Sequence, residues 1–274
     1  MVIVTPREDL KYYIDEKLQG NLDKIKKKLA TKDRDYVLCI DGDEGSGKSV
    51  VGMQIGCYID PTLDLSRVCM DGKSFVKAIT TAKKGQCVIY DEAYAGLSSR
   101  GALSEINNII VSMMMEMRQK NLFVIIVLPT FFMLDKYVAI WRARSLVHVY
   151  IRNGRRGRYA IFNKRQKKFL YLHGKKDYNY NSQKPIFRGR FTNVYIVDEN
   201  KYRLKHRKAL ENKSRSTKSD KYITQRNKLL FHIKDEMGYT LTDLTKFCKD
   251  KDISLKKTQL HDILKKFTRK NKTS

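Results

Sequence analysis

Apolar positions along the first 150 residues fall into two alternating textures. Spacings of three and four predict helices. Leu10, Ile14, Leu18, Leu22, Ile25 and Leu29 mark an amphipathic helix over 7–30, and Ile106, Ile109, Ile110, Met113 and Met117 mark another over 104–120. Unbroken apolar runs at 36–40, 87–90 and 122–128 predict buried strands, and further strands are expected at 146–151 and 67–70. Helices over 50–58, 74–82 and 133–141 fill the intervals. Strand alternating with helix in this way predicts an α/β fold, with a mainly parallel sheet covered on both faces.

After residue 151 the texture changes. Segments 159–162, 169–172 and 193–197 read as short strands in a basic, aromatic-rich setting. Residues 211–221 contain no apolar residue and read as a linker. Helical spacing returns at 223–236, 240–250 and 254–267. The expected organisation is a helical lead-in (1–34), an α/β core (35–152), a basic β-rich extension (153–210), the linker (211–221) and a small all-α module (222–274).

Charge sharpens this division. The chain carries 56 Lys+Arg against 29 Asp+Glu, a formal net charge of +27. Between residues 151 and 220 there are 21 cations and 5 acids. A bias that served only solubility would not concentrate so strongly, so the excess predicts a polyanionic partner, either nucleic acid or an anionic membrane surface. The five cysteines are scattered, with no CxxC pair, which suits a reducing, cytoplasmic setting better than a disulfide framework or a zinc site. The N-terminus has no apolar signal region. The longest apolar run, 122–134, is interrupted by Pro129 and falls short of the roughly 20 residues a membrane span needs, so no membrane insertion is expected.

The chemistry concentrates after the first predicted core strand. Gly42-Asp43-Glu44-Gly45-Ser46-Gly47-Lys48-Ser49 matches GxxxxGK[ST] and lies between a strand and a helix. Backbone N–H groups must crowd around phosphate oxygens in such a loop, and glycines permit both the turn and the approach. In a P-loop NTPase, Lys48 reaches the β- and γ-phosphates of ATP and Ser49 ligates Mg²⁺. The run 87–92 carries Asp91 and Glu92 to the carboxyl end of another strand. Asp91 is the second expected metal ligand, and Glu92 is the expected base for the attacking water; an N-cap acid pair is the plain alternative. The strand at 122–128 is expected to sit between the Asp91 strand and the loop strand. It ends at Thr130, a candidate γ-phosphate sensor or a turn cap. Arg100, Arg118, Arg142 and Arg144 could reach a neighbouring subunit's nucleotide, with Arg118, Arg142 and Arg144 preferred as the catalytic arginine.

These residues, from Asp91-Glu92-Ala93 through Met117-Arg118-Gln119-Lys120-Asn121-Leu122 to Leu128-Pro129-Thr130, resemble the additional-strand P-loop ATPases that pump DNA. Two groups share the pattern over about residues 35–152: the FtsK/HerA and zonular-occludens-toxin-like ATPases, and the ATPase domain of viral large terminases. Thr130 stands where FtsK/HerA members usually carry Gln, which is closer to the terminase pattern. The acidic cluster of a terminase nuclease is missing from 151–220, and no membrane segment of the toxin-like kind is present. The resemblance implies an oligomeric ring working on double-stranded DNA, with a portal, nuclease or other packaging or transfer component as a further partner.

In the basic stretch, Arg152, Arg155, Arg156, Arg158, Lys164, Arg165, Lys167 and Lys168 interleave with Tyr159, Phe162 and Phe169. This is the composition of a surface that neutralises phosphates and stacks on bases, or of a solvated hairpin whose aromatics pack inward. The last 50 residues resemble a helix-turn-helix unit, with Ile253 filling the turn and Lys256, Lys257, Gln259 and His261 facing outward from the second helix. A plain three-helix docking module would show the same apolar stripe. The function expected from all this is an ATP-hydrolysing DNA translocase that packages or transfers a viral or plasmid genome. A replicative helicase or helicase loader, and an ATP-switched DNA-binding partition or regulatory protein, stay open as alternatives.

Overall fold

The computed structural model describes residues 2–91, 100–215, 218–251, 255 and 257–271. It divides into two compact units, Met1–Ala209 and Leu210–Ser274.

The first unit opens with a two-stranded antiparallel hairpin, β1 (Val2–Arg7) and β2 (Leu10–Ile14), where one long helix was expected. Leu10 and Ile14 fit both a helical period and an alternating one. Pairing with β1 decides for the strand, and Tyr12 and Ile14 turn inward. The predicted helix survives as α1 (Glu16–Thr31), capped by Asp15, whose side chain accepts from the Lys17 amide.

The main sheet contains β3 (Tyr36–Gly42), β4 (Val68–Cys69), β5 (Cys87–Asp91), β6 (Phe123–Val127), β7 (Ala143–Arg152), β8 (Arg155–Phe162) and β9 (Phe187–Arg190). Their order is β4-β5-β6-β3-β7-β8-β9. The first five lie parallel, and β8 runs antiparallel to both β7 and β9. The fold is therefore α/β with a mixed, mostly parallel central sheet. As the sequence predicts, β6 lies between β5 and β3. Every residue of β5 and β6 is buried, which explains why both read as unbroken apolar runs.

Helices α2 (Lys48–Ile59), α3 (Gly72–Thr81) and α4 (Arg100–Gln119) follow β3, β4 and β5. α2 is buried at nine of its twelve positions, because the sheet covers one side and α1 packs on another. A π-type turn at Val138–Arg142 replaces most of the helix predicted over 133–141.

The expected β-rich extension is not set apart from the core, and it is as much helix as strand. Strands β8 and β9 widen the central sheet, and α5 (Lys164–Gly174) occupies the segment read as a strand at 169–172. Its buried residues Lys167, Leu170, Tyr171 and Gly174 follow a helical spacing, and a capping box between Asn163 and Gln166 starts it. The run 193–197 forms no strand. Its neighbourhood presents backbone carbonyls to side chains instead: Gln54 donates to Thr192 and Val194.

The second unit holds α7 (Lys218–Met237), α8 (Leu241–Asp250) and α9 (Lys257–Asn271) around Leu230, Leu244, Cys248, Leu260 and Leu264. Thr240 and Asp243 form a capping box at α8. The predicted linker is helical where described, lying in α6 (Glu199–Arg215) and the start of α7. Its Lys, Arg and Glu residues are good helix formers. Ile253 lies outside the described residues.

Candidate functional site

The glycine-rich loop leaves β3 at the carboxyl edge of the sheet and runs straight into α2. Two positions tolerate only glycine. Gly42 has φ +139°, and a Cβ there would stand 1.9 Å from the Val149 carbonyl oxygen. Gly47, the N-cap of α2, has φ +99°, and a Cβ would meet the Phe191 ring at 2.8 Å. The loop is therefore bare backbone opening onto a helix N-terminus, an arrangement suited to an anion. Ser46 Oγ is buried in it without a hydrogen-bond partner among the described residues.

Three predicted residues converge here. Lys48 Nζ donates to the Gly42 carbonyl at 2.7 Å and to that of Asp43 at 2.8 Å. Ser49 Oγ donates to Asp91 Oδ1 at 3.0 Å, joining the first turn of α2 to the end of β5. Asp91 is buried, and burial raises its carboxyl pKa; hydrogen bonds from Tyr202 and Ser49 and the charges of His206 and Lys48 pull the other way. Burial lowers the Lys48 ammonium, against the upward pull of Asp41, Asp91, Glu44 and Asp43. A serine hydroxyl and a carboxylate are hard oxygen donors, and a small divalent cation needs only one or two such ligands when phosphates supply others. Glu92 lies outside the described residues.

A second network adjoins the loop. Asp41, buried one residue before Gly42, accepts from the Phe131 amide at 2.7 Å, from His148 Nδ1 at 2.9 Å and from the Tyr180 hydroxyl. Tyr180 stacks on His148 with ring centroids 3.8 Å apart, and burial raises its phenol pKa, so it remains a donor. Thr130 meets the same tyrosine at 2.9 Å and caps the short turn Phe131–Met133. Thr130 thus stands beside the loop strand, one hydrogen-bonded partner from Asp41.

The three favoured arginines stand elsewhere. Arg142 pairs with Asp35, Arg144 lies on β7 near the start of β3, and the Arg118 carbonyl turns the chain into β6. All are at the amino edge of the parallel strands, opposite the loop, because β3 enters at Tyr36 and reaches Gly42 only at its far end. None serves this chain's own loop. Arg156 does approach it: its guanidinium lies 3.5 Å from the position a Cβ on Gly45 would take.

The basic residues divide by exposure. Arg152 at the end of β7 and Arg155 and Arg156 at the start of β8 are exposed, and Arg158 is half-buried. On α5, Lys164 and Arg165 are exposed, and Lys168 lies 4.9 Å over the Trp141 ring. Lys167 corrects the expectation of a phosphate contact. It is fully buried and donates to the carbonyls of Ala139 and Ile140, capping the π-type turn, and burial pushes its pKa down to about 8. Lys257 and Gln259 are exposed on α9, and Lys256 lies outside the described residues.

Sequence reading missed Asp41, His148, Tyr180, Tyr202 and the placement of Arg156. Only Asp41 left a local signal, an acid closing an apolar strand. An open depression of about 400 Å³ between Asn107 and Tyr137 is lined by none of these residues. No helix among the described residues is long and apolar enough to cross a membrane. No family model matches the chain, and no curated protein matches it either.

Proposed function

We propose that the chain is an ATPase whose hydrolysis drives movement along double-stranded DNA, in the packaging or transfer of a genome. The observation that carries this reading is the meeting of Lys48, Ser49 and Asp91 at a bare glycine loop, at the carboxyl edge of a parallel sheet. Loop amides and the α2 N-terminus bind the phosphates, and Lys48 turns from the Gly42 and Asp43 carbonyls toward the β- and γ-oxygens. Ser49 and Asp91 would hold Mg²⁺, which when bound would neutralise charge on those oxygens. Glu92 takes the proton of the water that attacks the γ-phosphorus, and ADP leaves with the bridging oxygen. Arg156 lies where it can add positive charge in cis.

The DNA half of the reading rests on charge. Arg152 and Arg155, where β7 passes into β8, and Lys164 and Arg165 on α5, are exposed cations suited to phosphates. The helix-turn-helix reading of α7–α9, with Lys257 and Gln259 exposed, adds a second nucleic-acid surface. Five buried free thiols accord with a reducing cytoplasm. Assembly into a ring follows from the translocase reading.

The test is ATP hydrolysis by wild type and Glu92→Gln, with and without duplex DNA, over a salt series. DNA-stimulated turnover that weakens with salt and disappears in Glu92→Gln supports the motor. Slow turnover indifferent to DNA rejects it in favour of an ATP-switched DNA-binding protein, and strand displacement would point to a helicase.

A further inference from the structure

Two hydroxyl groups divide the Asp91 carboxylate between them. Ser49 takes Oδ1, and the Tyr202 hydroxyl donates to Oδ2 at 2.6 Å. Ser49 belongs to the loop and its helix, but Tyr202 comes from α6, 111 residues beyond Asp91. The segment that delivers it is fastened along its length. Phe191 closes on Gly47. Gln54, on the second turn of α2, donates to the Thr192 and Val194 carbonyls at 2.7 and 2.9 Å. The Ile196 side chain is buried. One turn after Tyr202, Lys205 Nζ donates to the Leu65 and Val68 carbonyls at 2.8 and 2.7 Å. Residues 191–205 thus form a strap that touches the loop at one end and holds the Asp91 carboxylate at the other.

We propose that Tyr202 is a positioning residue for Asp91, and that the strap carrying it responds to Mg²⁺·nucleotide at the Ser49–Asp91 pair. This rests on the proposed nucleotide site. A carboxylate that binds a metal through one oxygen keeps its orientation through the hydrogen bond on the other, and removing such an outer partner typically costs about 10–100-fold in metal affinity or activity. The donor arrives from outside the loop, so a change in Asp91's surroundings is felt in α6, the helix by which the chain leaves this unit.

Tyr202→Phe removes only the hydroxyl and keeps the ring beside Tyr195 and His206, at 5.7 and 6.2 Å. Binding of a non-hydrolysable ATP analogue is measured with Mg²⁺ and with EDTA, and amide exchange over 191–205 is followed in the same samples. The expected result is unchanged affinity in EDTA and a Mg²⁺-dependent gain reduced about tenfold or more in Tyr202→Phe. Amides of 191–205 should be protected by Mg²⁺·analogue in wild type and less so in the variant. An equal Mg²⁺ gain in both proteins overturns the inference while leaving the nucleotide site intact. Should the variant fail to fold, a wild-type strap indifferent to Mg²⁺·analogue overturns it alone. A wild type that binds no nucleotide overturns the proposed function itself.

Discussion

Ser49 and Asp91 share a hydrogen bond of 3.0 Å, although one opens a helix and the other ends a strand two positions away in the sheet. A pair held so closely acts as a unit. Ser49→Ala and Asp91→Asn are each expected to lower Mg²⁺-dependent phosphate release by about 100-fold or more. The double variant should be little worse than either single one. Effects that multiply would mean that the two residues act independently.

Gly42 and Gly20 make a sharp comparison. A methyl group at Gly42 would overlap the Val149 carbonyl and demand a left-handed φ, whereas Gly20, inside α1, has nothing within 4 Å of the same position. Gly20→Ala should stabilise the protein by about 1 kcal/mol through helix propensity. Gly42→Ala should displace β7 from β3 and lower the urea midpoint markedly. Equal midpoints for the two variants would contradict the close approach of these strands.

The sequence revealed β3, β5 and β6 because strands buried on both faces leave unbroken apolar runs, and the strand–loop–helix order around Gly42–Ser49 was visible for the same reason. It misread α5 because the buried face of that helix includes a lysine, which a hydrophobic period counts as exposed. It misread the N-terminus because Leu10 and Ile14 satisfy two periods and only the partner strand chooses. Asp91–Tyr202 and Asp41–Tyr180 were beyond its reach, at 111 and 139 residues' separation, where no spacing rule applies.

Arg152, Arg155 and Arg156 cluster where β7 passes into β8 but face different tasks. Replacing Arg152 and Arg155 by Ala should reduce the slope of log affinity for duplex DNA against log salt, by about 0.9 for each phosphate no longer neutralised. ATP turnover without DNA should not change. Arg156→Ala should lower that DNA-free turnover as well, because its guanidinium stands beside Gly45. Filter binding across a salt series and phosphate release without DNA separate the two. Identical behaviour of all three positions would remove Arg156 from the proposed nucleotide site.

Lys167 tests where binding ends and folding begins. Its ammonium is buried against the Ala139 and Ile140 carbonyls, so Lys167→Met should leave the DNA salt slope untouched, whereas Lys164→Ala and Arg165→Ala should lower it. The second readout is the pH dependence of stability. Burial brings the folded pKa to about 8, from an ordinary 10.5. Between these values the unfolded chain keeps the lysine proton and the folded chain has released it. The unfolded state then binds more protons, so stability rises with pH across that window. Below about pH 8 both states are protonated and this contribution is flat. Urea midpoints taken at about pH 7.5 and about pH 10 should therefore shift in favour of wild type relative to Lys167→Met, by about 3 kcal/mol at most. Titrating tyrosines add the same background to both proteins, so the difference isolates Lys167. Parallel pH profiles would mean that this lysine titrates as if in water, and its place as the internal cap of the π-type turn would have to be given up.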